Sequence, residues 1–159
     1  EYFNKSDLSK TVVVAPDLGS VKMNRAYANR LGVPLALVDK RRPRHDATEV
    51  MHIIGEVEGM DVILLDDEIS TASTMVQAAR ALKSRGAGRI FAGATHGKFV
   101  GNAQANLEDS PIERVAVTDS IPYQGGALGP KIEVLTVAPL LGEAIKRIHE
   151  ERSLSSLFV

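Results

Sequence analysis

The chain of 159 residues contains no cysteine and no tryptophan. Without cysteine it has neither a zinc ribbon nor thiol chemistry. A chain of this length buries about two thirds of its unfolded surface, so it needs no disulfide or structural metal to fold. No large charge surplus is present: the formal net charge is -1, whereas a general nucleic-acid binder carries a strong basic excess. Long apolar runs are also missing. Stretches such as Val62-Ile63-Leu64-Leu65 are far too short to cross a bilayer, and no basic-then-apolar leader pattern opens the chain. These absences predict a cytoplasmic protein with no membrane or nucleic-acid partner. There is no internal repeat, low-complexity segment or internal linker, so residues 1–159 are expected to form one domain. The first residues, Glu1-Tyr2-Phe3, include no initiator methionine, which predicts that the chain is a piece of something larger.

What is present is a series of short apolar runs: residues 11–14, 34–38, 52–57, 62–65, 90–94, 114–117 and 132–135. Runs of this length bounded by Gly, Pro or Asp suit buried parallel strands, which lose the polar alternation of half-exposed ones. Between and after them, residues 71–84 place Met75, Ala78, Ala79 and Leu82 at helical spacing, with Gly86 as a stop signal. Residues 139–150 do the same with Leu140, Leu141, Ala144, Ile145 and Ile148. Both are expected to lay one face against a sheet. The alternation predicts an open α/β domain whose ligands bind beyond the carboxyl ends of the strands.

The most informative stretch is residues 62–74. An apolar strand runs into Asp66 and Asp67, and a turn with four hydroxyls, Ser70, Thr71, Ser73 and Thr74, then opens a helix. A helix N-terminus leaves N–H groups unpaired and a partial positive charge, which suit a phosphate dianion. The hydroxyls supply further donors. Carboxylates just before the turn can accept hydrogen bonds from sugar hydroxyls and help hold Mg²⁺, a hard cation that prefers oxygen ligands. The plain alternative is that Asp67 or Ser70 caps a helix and Asp66 is a solvated strand end.

The segment resembles the phosphoribosyl-pyrophosphate motif of type I phosphoribosyltransferases and ribose-phosphate pyrophosphokinases, which implies a type I phosphoribosyltransferase-like, mainly parallel sheet flanked by helices. By that resemblance residues 70–74, Ala72 included, bind substrate together with Asp66 and Asp67. Pyrophosphokinases commonly have Asp at the place of Ser70 and Gly at that of Ser73.

Other segments resemble the pyrophosphokinases rather than the transferases. Val13-Val14-Ala15-Pro16-Asp17-Leu18-Gly19-Ser20 is similar to a stretch whose Asp sits near the ribose, which assigns Asp17 to the metal; Met23 stands where Arg is frequent. Asp39-Lys40-Arg41-Arg42-Pro43-Arg44 carries four cations within five residues. Such runs are often solvated surface. The resemblance instead makes this one a catalytic loop in which Lys40 and Arg42 approach the ATP phosphates. Thr95-His96-Gly97-Lys98-Phe99-Val100-Gly101 resembles a further family stretch, with Val100 in place of Ser; His96 is expected to order structure rather than react. Thr118-Asp119-Ser120-Ile121-Pro122 matches a turn near the pocket. The tail, Ser153-Leu154-Ser155-Ser156-Leu157-Phe158, resembles one that joins a regulatory phosphate or ADP site between subunits, although it can equally be a docked end.

The resemblance implies a ribose-phosphate diphosphokinase: a homo-oligomer with sites near subunit interfaces, Mg²⁺ as cofactor, and ATP and ribose 5-phosphate as substrates. The chain would be its C-terminal half, with a second domain lying outside these residues. A small phosphoribosyltransferase and a non-catalytic synthetase-associated subunit are the alternatives.

Overall fold

The structure, a computed structural model, describes residues 2–3, 7–41, 50–123 and 125–157. Seven strands form one sheet: β1 (Thr11–Ala15), β2 (Leu35–Arg41), β3 (Val50–Ile54), β4 (Asp61–Ile69), β5 (Ile90–Gly97), β6 (Ile112–Thr118) and β7 (Ile132–Leu135). Their order is β3-β2-β1-β4-β5-β6-β7. Every pairing is parallel except that of β2 with the edge strand β3. Four α-helices are described: α1 (Val21–Leu31), α2 (Ser73–Ser84), α3 (Ala103–Glu108) and α4 (Ala138–His149).

The apolar runs have a simple cause. All five residues of β1 are buried, because a strand in the middle of a covered sheet sends successive side chains to two cores. Val12, Val14, Val62 and Leu64 meet Met75, Ala78, Ala79 and Leu82 of α2 on one face. Val13, Ile63 and Leu65 meet Ala28 of α1 on the other. Chain order reverses between β1 and β4: β1 leads through α1 to β2 on one side, and β4 leads through α2 to β5 on the other. A crevice opens at such a switch point, beyond the carboxyl ends of the two strands.

Two expectations are corrected. The run at 52–57 is not a parallel strand; β3 covers Val50–Ile54 and pairs antiparallel with β2, from Leu37↔Ile54 to Arg41↔Val50, so the basic segment begins inside a hairpin. α1 and α3 were not legible as periodic stripes, since α1 buries only Asn24 and Ala28, and α3 is six residues long. Finally, α4 does not press its apolar face on the sheet. It has no buried residue, and Leu141, Ile145 and Ile148 are 56%, 68% and 63% exposed. α2 ends at Ser84 as expected, and Gly86 just beyond it has a φ of 83°, the left-handed turn that glycine takes without strain. Among the described residues no helix is long and apolar enough to cross a membrane.

Candidate functional site

The apolar part of β4, Val62-Ile63-Leu64-Leu65, is buried as its composition requires, but the strand does not stop there. It continues to Ile69, which is 2% exposed, so Asp66 and Asp67 sit within the strand rather than after it. Asp66 is half-buried and Asp67 exposed. The Asp67 N–H donates to Asp66 Oδ1, and the Glu68 N–H to Asp67 Oδ1, both at 2.9 Å. Burial pushes the Asp66 carboxyl up to about 6, and the neighbouring charges of Asp17 and Asp67 push the same way, against the Asp67 N–H bond. Glu68 is engaged separately, by Lys98 Nζ at 2.5 Å.

Asp17 reaches the same place from β1. Its Oδ1 accepts the Ser20 N–H at 2.9 Å, while the Ser20 hydroxyl donates to the Asp17 carbonyl at 3.1 Å. This turn leads into α1, so Asp17 shapes a helix entry and also lines the crevice.

The loop after β4 is braced from behind. The N–H groups of Lys98 and Phe99 both donate to the Ile69 carbonyl (3.0 and 3.1 Å), and Val100 N–H donates to Ser70 O at 3.0 Å. Asn106 Nδ2 on α3 takes the Thr71 carbonyl at 3.1 Å, and Val76 N–H takes that of Ala72. Four consecutive carbonyls are thus held, and the first-turn residues of α2, whose N–H groups a helix leaves without intrahelical partners, line the crevice. The residue before the helix, Ala72, has φ 62° and ψ 1°, and no side chain caps α2. A left-handed alanine costs about 1–2 kcal/mol, a strain stored at the loop itself. The hydroxyls remain available instead of capping; Thr71 Oγ1 and Ser73 Oγ lie 3.0 Å apart. Sequence reasoning named the segment at 95–101 but not its bracing role, nor Asn106. Those roles reside in backbone geometry and a lone amide, which leave no spacing signal.

These groups surround one crevice of about 240 Å³, lined by Asp17, Asp66, Asp67 and residues 70–74. A larger hollow of about 690 Å³ lies toward the amino ends of β4, β5 and β6, among Tyr2, Phe3, Asp61, Arg89 and Arg114. It lacks both the acidic pair and the hydroxyl loop, and lies at the wrong end of the sheet for this fold. Among the described residues, no three carboxylate or histidine side chains converge into a ready-made metal cage. The crevice still fits Mg²⁺, whose sites use one or two carboxylates and leave the remaining positions to water and substrate oxygens. The Asp66 carboxyl, whose proton affinity is raised by burial and by the negative charges beside it, is a ready partner for a cation.

Those of the remaining expected residues that the structure describes do not line this crevice. Lys40 is in β2, paired with Met51 of β3, and its Nζ donates to Gln77 Oε1 of α2 at 3.2 Å. It is therefore held against the helix whose N-terminus forms the crevice, without lining it. Arg42 and Arg44 lie outside the described residues. His96 does not line the crevice. Its Nδ1 is 2.8 Å from Ser120 Oγ, and both Ser120 Oγ and Thr118 Oγ1 donate to Thr95 O, so His96 belongs to a bond set tying the end of β5 to the end of β6 and the turn after it. In the tail, Arg147 donates to Ser153 O at 3.1 Å and to Ser156 Oγ, folding residues 153–156 back on α4; Phe158 is outside the described residues.

The family described as "Phosphoribosyl synthetase-associated domain" matches residues 40–159. The ribose-phosphate pyrophosphokinase of Caldanaerobacter subterraneus subsp. tengcongensis is 51% identical over 159 residues, covering 99% of this chain and 50% of that protein. The chain spans about half the length of the curated relatives it matches. Among solved structures, phosphoribosylpyrophosphate synthetase from Mycobacterium smegmatis superposes with a TM-score of 0.86 at 33% identity, over 94% of this chain and 49% of that one. Adenine phosphoribosyl transferase from Trypanosoma brucei shares the fold, with a TM-score of 0.57 at 17% identity over 91% of this chain and 73% of that one.

Proposed function

Because the chain belongs to the phosphoribosyl synthetase-associated domain family, we propose that it is the ribose 5-phosphate-binding half of a ribose-phosphate diphosphokinase. The observation that carries this reading is the crevice, where two carboxylates of β4 and a third from the turn after β1 lie beside a helix N-terminus ringed by hydroxyls. A phosphorylated sugar has both features that such a crevice complements. Residues 70–74 receive the 5-phosphate through N–H and hydroxyl donors. Asp66 and Asp67 accept hydrogen bonds from the ribose hydroxyls. Asp17, beside Asp66, takes the Mg²⁺, which when bound neutralises phosphate charge and orients the phosphoryl chain.

In the reaction, the 1-hydroxyl oxygen of ribose 5-phosphate bonds to the β-phosphorus of ATP. The bond from that phosphorus to the bridging oxygen of the α-phosphate breaks, AMP leaves with the oxygen, and the hydroxyl proton is released. The protein's part is alignment and charge stabilisation. Lys40 and Arg42 meet the charge that grows on phosphate oxygens as the transition state forms. ATP is held with the help of the second half of the enzyme, as a homo-oligomer in the cytoplasm.

In the full-length protein, ATP and ribose 5-phosphate are expected to yield AMP and phosphoribosyl pyrophosphate in equal amounts. Lys40→Ala and Arg42→Ala should each lower kcat about a hundredfold, roughly 3 kcal/mol, as for other lost transition-state donors, with ribose 5-phosphate affinity retained. Arg44→Ala, the control, should behave as surface charge, under about 1 kcal/mol. Nucleotide formed from phosphoribosyl pyrophosphate and a free base, without AMP, would overturn the reading in favour of a transferase. One observation favours a second reading, a non-catalytic associated subunit: residues 70–74 contain no glycine, and the left-handed position falls on Ala72. That reading predicts ribose 5-phosphate binding with no AMP at all.

A further inference from the structure

α1 buries only two residues, Asn24 and Ala28, and Asn24 is completely shielded from solvent. An amide in such a place is costly unless its hydrogen bonds are made. Its Nδ2 makes two, to the carbonyl oxygens of Ser20 and Leu65, each at 2.9 Å. Its Oδ1 accepts none among the described residues. An apolar side chain would therefore suit the packing as well or better. What it would lack is a donor that bridges two carbonyls from different elements.

Both carbonyls belong to the crevice's support. Ser20 holds Asp17 through its N–H and hydroxyl, and Leu65 directly precedes Asp66. The β1–β4 ladder ends at Val14↔Leu64, one residue short of Leu65. Beyond that point Asn24 replaces the ladder, joining the turn after β1 to β4 where two like-charged carboxylates have to be held close. We infer that Asn24 is a positioning residue, which fixes Asp17 against Asp66 by tying the Asp17 turn to the Leu65 carbonyl. The inference rests on the proposed roles of Asp17 and Asp66 toward sugar and metal.

The test is Asn24→Leu in the full-length protein, a change that keeps the branched side-chain skeleton and removes the donor, read by ribose 5-phosphate kinetics at saturating Mg-ATP and by thermal unfolding. The expected result is a KM for ribose 5-phosphate raised about tenfold in protein that still unfolds in one cooperative step, its melting midpoint lowered by the Leu65 carbonyl left unpaired. A purely structural amide gives a different pattern: fewer active molecules, hence a lower apparent kcat at unchanged KM, and that result overturns the inference. If Asn24→Leu does not fold, Asn24→Ala is read in the same way, since the backbone bond from Asn24 to Ser20 remains. Wild-type protein that turns over ribose 5-phosphate while both variants keep its KM sinks this inference alone. Wild-type protein that neither binds nor converts ribose 5-phosphate sinks the functional reading with it.

Discussion

Helices α2 and α4 are each twelve residues long and each carries an apolar stripe, yet α2 buries Met75, Val76, Ala78, Ala79 and Leu82 whereas α4 buries nothing. The stripe on α2 lies on the face of β1 and β4 that it crosses over. The stripe on α4 stands open, and the helix is held instead by polar contacts at its ends: Asp119 Oδ1 accepts the Val137 N–H at 2.9 Å, and Arg147 engages Glu143 and the tail. An apolar stripe shows that a helix has something to bury, and the surface that receives it is decided elsewhere. The difference matters for the site. A phosphate crevice at a helix N-terminus needs a helix that cannot slide, and α2 is the one fixed by its own core.

The largest expected effect tests that anchoring. Leu82 is fully buried, and Leu82→Ala should lower stability by roughly 2–5 kcal/mol in chemical denaturation, the range for leucine removed from a packed core. A cost below about 1 kcal/mol would mean that α2 is not anchored as described.

An intermediate effect concerns pH at the crevice that α2 closes. The Asp66 carboxyl is raised from 3.8 to about 6, chiefly by burial, so the folded state holds its proton more tightly than the unfolded state. The stabilisation from that proton is fully present below about 3.8 and is lost as pH rises through about 6. Asp66→Asn should remove this slope, so that the variant gains on the wild type in melting temperature between pH 4 and pH 7. Parallel curves would show that Asp66 is not shifted.

The smallest effect is expected on α4. Ile145 is 68% exposed, and Ile145→Ala in the 159-residue chain should change stability by under about 0.5 kcal/mol, as exposed substitutions do. A loss comparable to that of Leu82→Ala would break the contrast between the two helices and show that the α4 stripe is covered in solution.

Much of this arrangement was legible from sequence for one reason: the central strands are buried on both faces. Val12-Val13-Val14 and Val62-Ile63-Leu64-Leu65 have no polar alternation, so they announce themselves, and the hydroxyl loop follows directly from the second. β3 was harder. It pairs antiparallel with β2, and direction leaves no mark on a short apolar run. α1 went unmarked because its inner face consists of Ala28 and an asparagine rather than large apolar residues. The extension of β4 through Asp66 and Asp67 to Ile69 was hidden because carboxylates look like a strand end, while the pairing of Asp66 with Ala94 and of Glu68 with His96 carries the ladder past them. Asn24 and Asn106 left no signal, since their work is to bind carbonyls of residues distant in sequence.

The central claim is that the crevice between β1 and β4 binds a phosphorylated sugar. Titration calorimetry of ribose 5-phosphate into the wild type and into Asp67→Ala, with Mg²⁺ present, tests it most directly. Asp67 is exposed, so the substitution should leave folding within about 0.5 kcal/mol, while affinity falls about tenfold or more for a lost hydrogen bond to a charged acceptor. Equal affinity in the two proteins, with unfolding curves that coincide, would contradict the account.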